Sequence, residues 1–581
     1  MFMSSTGIDN PAGVGVGSFN NLYAPMLLSR AEYNLANGST AEFGWSKSGQ
    51  YDFVNGTYQL YPLSLNSSIV GDGCSPWTAN SPDLSSTIVL IRRGGCSFKV
   101  KQGNAAKAGA RNILFYNDRP GVDDFNSETP DLVGVGMVPA STGAMWVNAA
   151  ATRTNITLRM VSRKYAPTIY HTEINKQAGG QVSDFTEWGP SNQLLSVTTV
   201  SAPGGFMLST YPVALGGYAV ESGTSMATPY MAGCIALMLE ARGKISPATV
   251  RGLFASTANP NVFHDGASAY PYLASVAQQG AGLVDAYEAV HSTTLFNVSR
   301  VHFNDTEHLG PAWIQISNTG NSTKIYTMGH KGAATVYTLT GNETIPQTTN
   351  TGAFVDRTTK YASLRFSKDT VLLAPGKSAV VKITATPPQG LDARRIPIYS
   401  GYITLNGTTG ESFSIPYLGA ATAMRTVTVL NKKQTQLTSS ATEALVKPND
   451  QFILPGPNGT ATAQNTSYPV LTVKLSMGTA LLHVDVKSAN NNTIVGQASS
   501  FPRSNLPRSV QGVTGPGSLS WDGELADGTV VRAGTYSLVV RALKIFGNPD
   551  NASDYEVIET PKFSVVYAGS TAKQRRGIRR L

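Results

Sequence analysis

A chain of 581 residues is too long for one hydrophobic core and predicts roughly three to five domains at about 100–200 residues each. Hydrophobic residues make up 41% and charged residues 14%, with 57 Gly and 32 Pro, which excludes a disordered chain and favours a turn-rich, β-heavy globular protein. The net charge of +9 does not indicate a nucleic-acid surface, because Lys573, Arg575, Arg576, Arg579 and Arg580 supply five of those charges in the last nine residues and no Lys/Arg cluster precedes them.

From the N-terminus, the first clear pattern lies between about 60 and 162. Thr87-Ile88-Val89-Leu90-Ile91 reads as a buried strand, 100–108 as an alanine-rich helix, and Ile113-Leu114-Phe115-Tyr116 as a second strand, together a βαβ unit. Farther on, Gly223-Thr224-Ser225-Met226-Ala227-Thr228-Pro229 leads into Tyr230-Met231-Ala232-Gly233-Cys234-Ile235-Ala236-Leu237-Met238-Leu239. That run is apolar nearly all round, which predicts a central buried helix packed by neighbours, and it is shorter than the ~20 residues that span a bilayer. Ser246-Pro247 reads as an N-cap followed by a first-turn proline. After His291 the sequence turns to short alternating strands, as in Ala312-Trp313-Ile314-Gln315-Ile316 and Ala379-Val380-Val381-Lys382-Ile383, a spacing that argues β-sandwiches. Asp527-Gly528 and Ala533-Gly534 are turn signals inside a second such region.

The 223–229 string carries the chemistry. Gly223 is expected to let the backbone turn, Ser225 to sit at a helix N-terminus, and Pro229 to be tolerated in the first turn. Unpaired N–H groups and the positive end of the helix dipole favour an oxyanion forming as the serine oxygen attacks a carbonyl. Residue for residue the string resembles the serine motif of the subtilisin-like peptidases. Ser201-Ala202-Pro203-Gly204-Gly205, Phe185-Thr186-Glu187-Trp188-Gly189-Pro190 and Gly280-Ala281-Gly282-Leu283-Val284-Asp285-Ala286-Tyr287 extend the likeness. The resemblance implies a secreted serine endopeptidase acting on protein or peptide substrates through an acyl-enzyme on Ser225, with no cofactor required for catalysis. Structural calcium occurs in relatives, but no carboxylate cluster with the ligand count of Ca²⁺ is evident.

The same resemblance implies an Asp motif, a His-Gly-Thr-His motif and an oxyanion-hole Asn, and none occurs in these residues. A serine hydroxyl needs a hydrogen-bonded base. Only His171 precedes Ser225, without the glycine-rich context of the His motif; His264, His291, His302, His308, His330 and His483 follow it. Gly13-Val14-Gly15-Val16-Gly17-Ser18-Phe19-Asn20-Asn21 resembles the buried strand shortly after the oxyanion Asn, and Asn10 and Asn20 are poor substitutes for that Asn. The expectation is an N-terminally truncated subtilase whose present residues are inactive alone. The alternative is a non-enzymatic secreted binding protein.

Arg92-Arg93-Gly94-Gly95-Cys96-Ser97-Phe98 and the following alanine-rich helix resemble the protease-associated domain inserted in many secreted subtilases, with Arg92 and Arg93 expected to be solvated. The expected layout is a partial α/β catalytic domain with a mostly parallel sheet at 1–50 and 166–292, interrupted at 51–165 by linker strands and the insert. A fibronectin-III-like sandwich at 293–425, a second Ig-like sandwich at 426–567 and a basic disordered tail at 568–581 follow. The second sandwich resembles a repeat of cell-envelope proteases and flagellar hook-cap proteins. Cys74 and Cys96 both fall in the insert while Cys234 falls on the apolar helix, so a Cys74–Cys96 disulfide is expected, with Cys234 reduced and buried.

Thirteen Asn-x-Ser/Thr sequons, at Asn37, Asn55, Asn66, Asn155, Asn297, Asn304, Asn321, Asn342, Asn406, Asn458, Asn465, Asn491 and Asn551, favour an extracellular or cell-wall, N-glycosylated protein. Met1-Phe2-Met3-Ser4-Ser5 is no signal peptide, so the expected signal lies outside these residues.

Overall fold

The computed structural model describes residues 12–35, 38–77, 83–123, 125, 128–266, 268–340, 355–455, 466–509 and 517–568. The sequons at Asn37, Asn342, Asn458 and Asn465, together with Asn10 and the basic residues of the tail, lie outside them.

The serine segment is built on two parallel strands, β1 (Val16–Asn20) and β10 (Val200–Gly205). Between them in sequence come β2 (Tyr23–Leu35), β3 (Thr40–Lys47), β4 (Gly56–Pro62), β5 (Thr87–Arg92), α1 (Phe98–Lys107), β6 (Asn112–Tyr116), β7 (Gly134–Val138), α2 (Ala140–Ala151), β8 (Ile156–Met160) and β9 (Thr168–Ile174). These eight strands form one sheet in the order β3-β7-β6-β5-β4-β8-β2-β9, and a further β3–β2 pairing curls it back on itself. The expected βαβ unit is β5-α1-β6, whose strands pair in parallel.

This sheet revises the expected boundaries. Residues 23–47 and 168–174, assigned from sequence to the catalytic domain, pair inside the insert's sheet, so the body of the insert runs from about β2 to β9. The cause is the length of β2, 13 residues: its first half pairs with β9 from Tyr23↔Ile174 to Ser29↔Thr168, and its second half with β3 and β8. The mostly parallel catalytic sheet is accordingly reduced to β1 and β10, with one parallel bridge from Ser201 to Leu283.

Within the insert, Cys74 and Cys96 are disulfide-bonded, with Cα atoms 5.8 Å apart. Arg92 and Arg93, expected to be solvated, are half-buried. Arg93 donates to Asn117 and Asp118, pairs with Asp123, and lies over the Phe98 ring. Arg92 is half-buried, and its Nη1 has no hydrogen-bond partner among the described residues.

The region matched to the third expected domain is a sandwich. Ala312–Asn318 pairs with Ser378–Thr386 in one sheet, and Lys324–Tyr337, Pro397–Gly407 and Ser412–Ala420 lie side by side in the other. Alternation places Ile314, Ile316, Val381, Ile383, Ile403 and Ile415 in its core. Two cross-strand pairs set tyrosine against glycine, Tyr399↔Gly419 and Gly401↔Tyr417. A Cβ on Gly419 would meet Tyr399 Oη at 2.4 Å, and one on Gly401 would meet Tyr417 Oη at 2.5 Å, so each glycine makes room for the ring opposite. The second sandwich centres on Trp521, Leu538, Val540 and Phe563.

The serine segment is tied to the first sandwich by buried and part-buried polar contacts. The Ser196 N–H donates to His302 Nε2 at 3.0 Å, Arg300 Nη1 to Thr199 Oγ1 at 3.2 Å, and Tyr402 Oη to the Gly280 carbonyl at 2.9 Å. Leu273 also pairs in parallel with Ala333, which extends the sandwich sheet into the serine segment.

Candidate active site

Strand β10 leads through β11 (Met207–Thr210) and β12 (Tyr218–Glu221), an antiparallel hairpin, into α3 (Thr224–Arg242). Ser225 is the second residue of α3 and is exposed. The helix start is held against β10 by the Gly223 N–H, which donates to the Gly204 carbonyl at 2.8 Å. The glycine that this close approach demands is Gly204, where a Cβ would meet Ser18 Oγ at 2.6 Å, the Gly223 carbonyl oxygen at 2.7 Å and Ala227 Cβ at 2.9 Å.

Two expectations for the motif are corrected. Gly223 has φ 166°, extended backbone open to any residue, and a Cβ there would meet nothing nearer than 3.6 Å. Pro229 is the sixth residue of α3, beyond the first turn. Lacking an N–H, it cannot donate to the carbonyl of Ser225 four residues earlier, so one backbone acceptor of the serine residue is released from the helix ladder.

The helix is also not buried all round. Ala227, Met231, Cys234 and Met238 form its buried stripe, packed with Val200, Ala202, Leu253 and Phe254. The opposite side is open: Ala232, Gly233 and Ala236 are exposed, Leu237 is 58% exposed and Tyr230 45%. A Cβ at Gly233 would meet no atom within 4 Å. Cys234 is the free, buried cysteine, and burial pushes its thiol pKa up. The far end of α3 is fastened by Arg242, whose Nε donates to the Val290 carbonyl at 2.7 Å. The next helix, α4 (Pro247–Thr257), begins as expected, with Ser246 Oγ accepting from the Thr249 N–H at 3.1 Å.

No hydrogen bond joins Ser225 Oγ to a base among the described residues, and the histidines lie elsewhere, the His171 Nε2 buried with no hydrogen-bond partner among those residues. His171 sits on β9, paired with Met26 in the insert's sheet. His264 Nε2 contacts the Gln177 carbonyl, His291 Nδ1 the Tyr287 carbonyl, His308 Nδ1 the Asp305 carboxylate and His483 Nδ1 the Gln497 amide. His302 accepts from Ser196, and burial, aided by the charge of Arg300, pushes its pKa down to about 4. His330 lies in a ladder opposite Ile403.

Among the described residues one trio offers metal-ligating atoms close together, Asp305, Glu307 and His308. The Asp305 carboxylate is already committed to the His308 N–H and ring and to the Met424 N–H. Sequence reading had not singled out this trio, and its hydrogen bonds serve the sandwich.

With this geometry in view, residues 98–282 match the model of the subtilase family. Residues 301–418 match the Fn3-like domain, so the chain carries a subtilase domain followed by an Fn3-like domain. It is 26% identical over 362 residues to the PI-type proteinase of Lactococcus lactis subsp. cremoris, covering 58% of this chain and 18% of that protein. To the minor extracellular protease Vpr of Bacillus subtilis (strain 168) it is 27% identical over 320 residues, 52% of this chain and 37% of that one. A C5a peptidase of Streptococcus pyogenes is 27% identical over 248 residues, 41% of this chain and 20% of that one. The chain thus spans well under half the length of each of these relatives. Among solved structures, the psychrophilic subtilisin-like protease Apa1 of Pseudoalteromonas sp. AS-11 aligns at 18% identity with a TM-score of 0.23, covering 45% of this chain and 49% of that one.

Proposed function

We propose that the chain is the serine-bearing part of a secreted, N-glycosylated serine endopeptidase that cleaves extracellular proteins through an acyl-enzyme on Ser225, and that these 581 residues by themselves do not hydrolyse peptides. The observation that carries the reading is an exposed serine opening a long helix inside a subtilase match. The helix N-terminus is the place for an oxyanion. What the described residues can do is limited to presenting the hydroxyl and stabilising negative charge beside it; the proton on Oγ has no side-chain base to accept it among them. In subtilisin, loss of the base costs on the order of 10⁶ in turnover. The bare side of α3 agrees with a catalytic unit whose base and acid arrive on further polypeptide packed there. In this reading β2 to β9 is a protease-associated domain.

A fluorophosphonate probe tests it. The 581-residue chain should show no labelling of Ser225. A polypeptide in which a segment bearing the Asp and His motifs is joined ahead of Met1 should label at Ser225 and cleave a protein substrate. Labelling of the present chain would reveal another base and overturn the inactivity. The lack of a base also favours a second reading, a secreted binding protein that uses the insert and sandwiches; silence of the joined polypeptide would select it.

A further inference from the structure

The first sandwich exposes most of the outer face of its four-stranded sheet, whose strands run in the order Thr294–Phe296, Ala312–Asn318, Ser378–Thr386, Ser363–Phe366. Ile314, Ile316, Val381 and Ile383 fill the core. Alternation therefore turns Trp313, Gln315, Val380, Lys382, Thr384 and Arg365 the other way, and all of them are exposed. Trp313 is the largest apolar group on this face and is 56% exposed. Its cross-strand partner Lys382 brings Nζ to 5.4 Å from the ring centroid, which still leaves more than half of the residue open.

At the edge of this face sits the sequon Asn297-Val298-Ser299. Phe296 pairs with Ile316, so the exposed Asn297 stands opposite Gln315 and shares its face. The Asn297 N–H donates to the Gln315 carbonyl at 3.2 Å, and its Oδ1 accepts from the Gln315 N–H at 2.8 Å. One arm of the carboxamide is thereby fixed. The other arm, Nδ2, makes no hydrogen bond among the described residues. At the Asn304 sequon, by contrast, Nδ2 donates to the His308 carbonyl at 3.3 Å. Val298 packs against the sandwich core and anchors the other flank of Asn297. Asn297 and Trp313 are diagonal cross-strand neighbours, a relation that sets residues about 7–8 Å apart, so the first sugars joined to Nδ2 start within reach of the indole.

We propose that Asn297 carries an N-linked glycan whose first sugars lie across Trp313, so that carbohydrate belonging to the chain itself covers the open face of the first sandwich. The surfaces match chemically: a pyranose ring offers a patch of C–H groups to the indole, and its hydroxyls meet polar side chains beside it, here Gln315 and Lys382. Because the sugar is tethered at Nδ2, the contact forms at high effective concentration. Attachment uses a lipid pyrophosphate-linked oligosaccharide as donor. The bond from Nδ2 to the sugar C1 forms as the bond from C1 to the pyrophosphate oxygen breaks, Nδ2 gives up one proton, and the lipid pyrophosphate leaves. The inference rests on the secreted, N-glycosylated reading and deepens it.

The full chain, secreted from a eukaryotic host behind a signal peptide, tests it. Glycopeptide mass spectrometry should find Asn297 occupied. Ser299→Ala destroys the sequon while leaving Asn297 and its hydrogen bonds in place, and so supplies the unglycosylated background. Trp313→Ala should lower the melting temperature of the first sandwich by a few degrees in the glycosylated chain and by far less in the Ser299→Ala chain. Trp313→Phe, which keeps a flat apolar ring, should lose little in either background, and circular dichroism should show the parent fold in every variant. Equal losses for Trp313→Ala in the two backgrounds overturn the contact. Glycans at other sequons with Asn297 bare overturn this inference alone, and a chain bare at every sequon overturns the glycoprotein reading with it. Self-association of the glycosylated chain in sedimentation that Trp313→Ala abolishes would assign the face to a second copy and overturn the proposal as well. None of these outcomes touches the reactivity of Ser225, so the protease reading stands or falls separately.

Discussion

The insert and the serine segment are both α/β bodies, and they treat their sheets differently. In the insert eight strands curl until β3 meets β2, α2 lies over Tyr116 through the bare backbone of Gly143, and a disulfide fastens the loop before α1. In the serine segment two strands carry a 19-residue helix with a buried stripe on one side and Tyr230 and Leu237 open on the other. A body that closes its own sheet is complete as a folding unit. A body that leaves apolar helix surface in water needs either more polypeptide or a partner, and the bare side of α3 belongs to the helix that carries Ser225.

Truncating each side of α3 is the most direct way to break that contrast. Met231→Ala, in the buried stripe, should destabilise the serine segment by about 2–5 kcal/mol, read as a lower denaturant midpoint. Leu237→Ala, on the open side, should change it by less than about 0.5 kcal/mol. If Leu237→Ala costs as much as Met231→Ala, the open side is covered in solution, and the contrast with the insert disappears.

The insert's closure is sharpened by its disulfide. Cys96→Ser frees a loop spanning 22 residues, for which the chain-entropy estimate is roughly 3 kcal/mol. The loss should fall on the insert's own unfolding transition and leave that of the sandwiches unmoved. A single common shift in calorimetry would show that the insert does not unfold as a separate unit.

Between the serine segment and the first sandwich the joint is polar and pH-dependent. His302 accepts a hydrogen bond from Ser196 and so must be neutral in the folded chain; burial and then Arg300 lower its pKa from 6.5 to about 4. The unfolded chain takes up the proton near 6.5 and the folded chain only near 4, so the stability from this site is full above 6.5 and is lost as pH falls towards 4. The shift corresponds to at most about 3 kcal/mol. His302→Gln keeps an acceptor that does not titrate, and its melting temperature should fall less than the parent's between neutral pH and the acid end of that window. Equal falls would remove His302 as the cause.

Much of this was legible in the sequence, for identifiable reasons. The β5-α1-β6 unit and the sandwich strands follow from local apolar runs, turn residues and alternation, the cysteine pairing from the placing of Cys74 and Cys96 in the insert and Cys234 on the apolar helix, and the structure bears them out. The reach of β2 was not legible, because a strand of 13 residues whose halves pair with different partners has a pattern that says nothing of which sheet it joins. The open side of α3 was misread for a related reason: hydrophobicity reports what a helix is suited to pack against, and here only one side finds that packing. The need for glycine assigned to Gly223 belongs to Gly204, where it comes from close contact with Ser18, Gly223 and Ala227, residues distant in sequence.

The smallest expected effect concerns the helix that follows α3, and it asks whether the serine segment is held together locally or only by what covers it. Ser246 caps α4, its Oγ accepting from the Thr249 N–H, with Pro247 as the first helical residue. Ser246→Ala leaves that N–H unsatisfied at the helix start, and the expected cost is about 1 kcal/mol. The loss should appear in full, because α4 is buried from Leu253 through Thr257 and cannot fray without exposing Leu253 and Phe254, which pack with the buried stripe of α3. Ser246→Asp keeps an acceptor and adds negative charge at the positive end of the helix dipole, so it should recover the loss. If Ser246→Ala costs nothing measurable, the start of α4 is already frayed, and the openness of the serine segment extends beyond the outer side of α3.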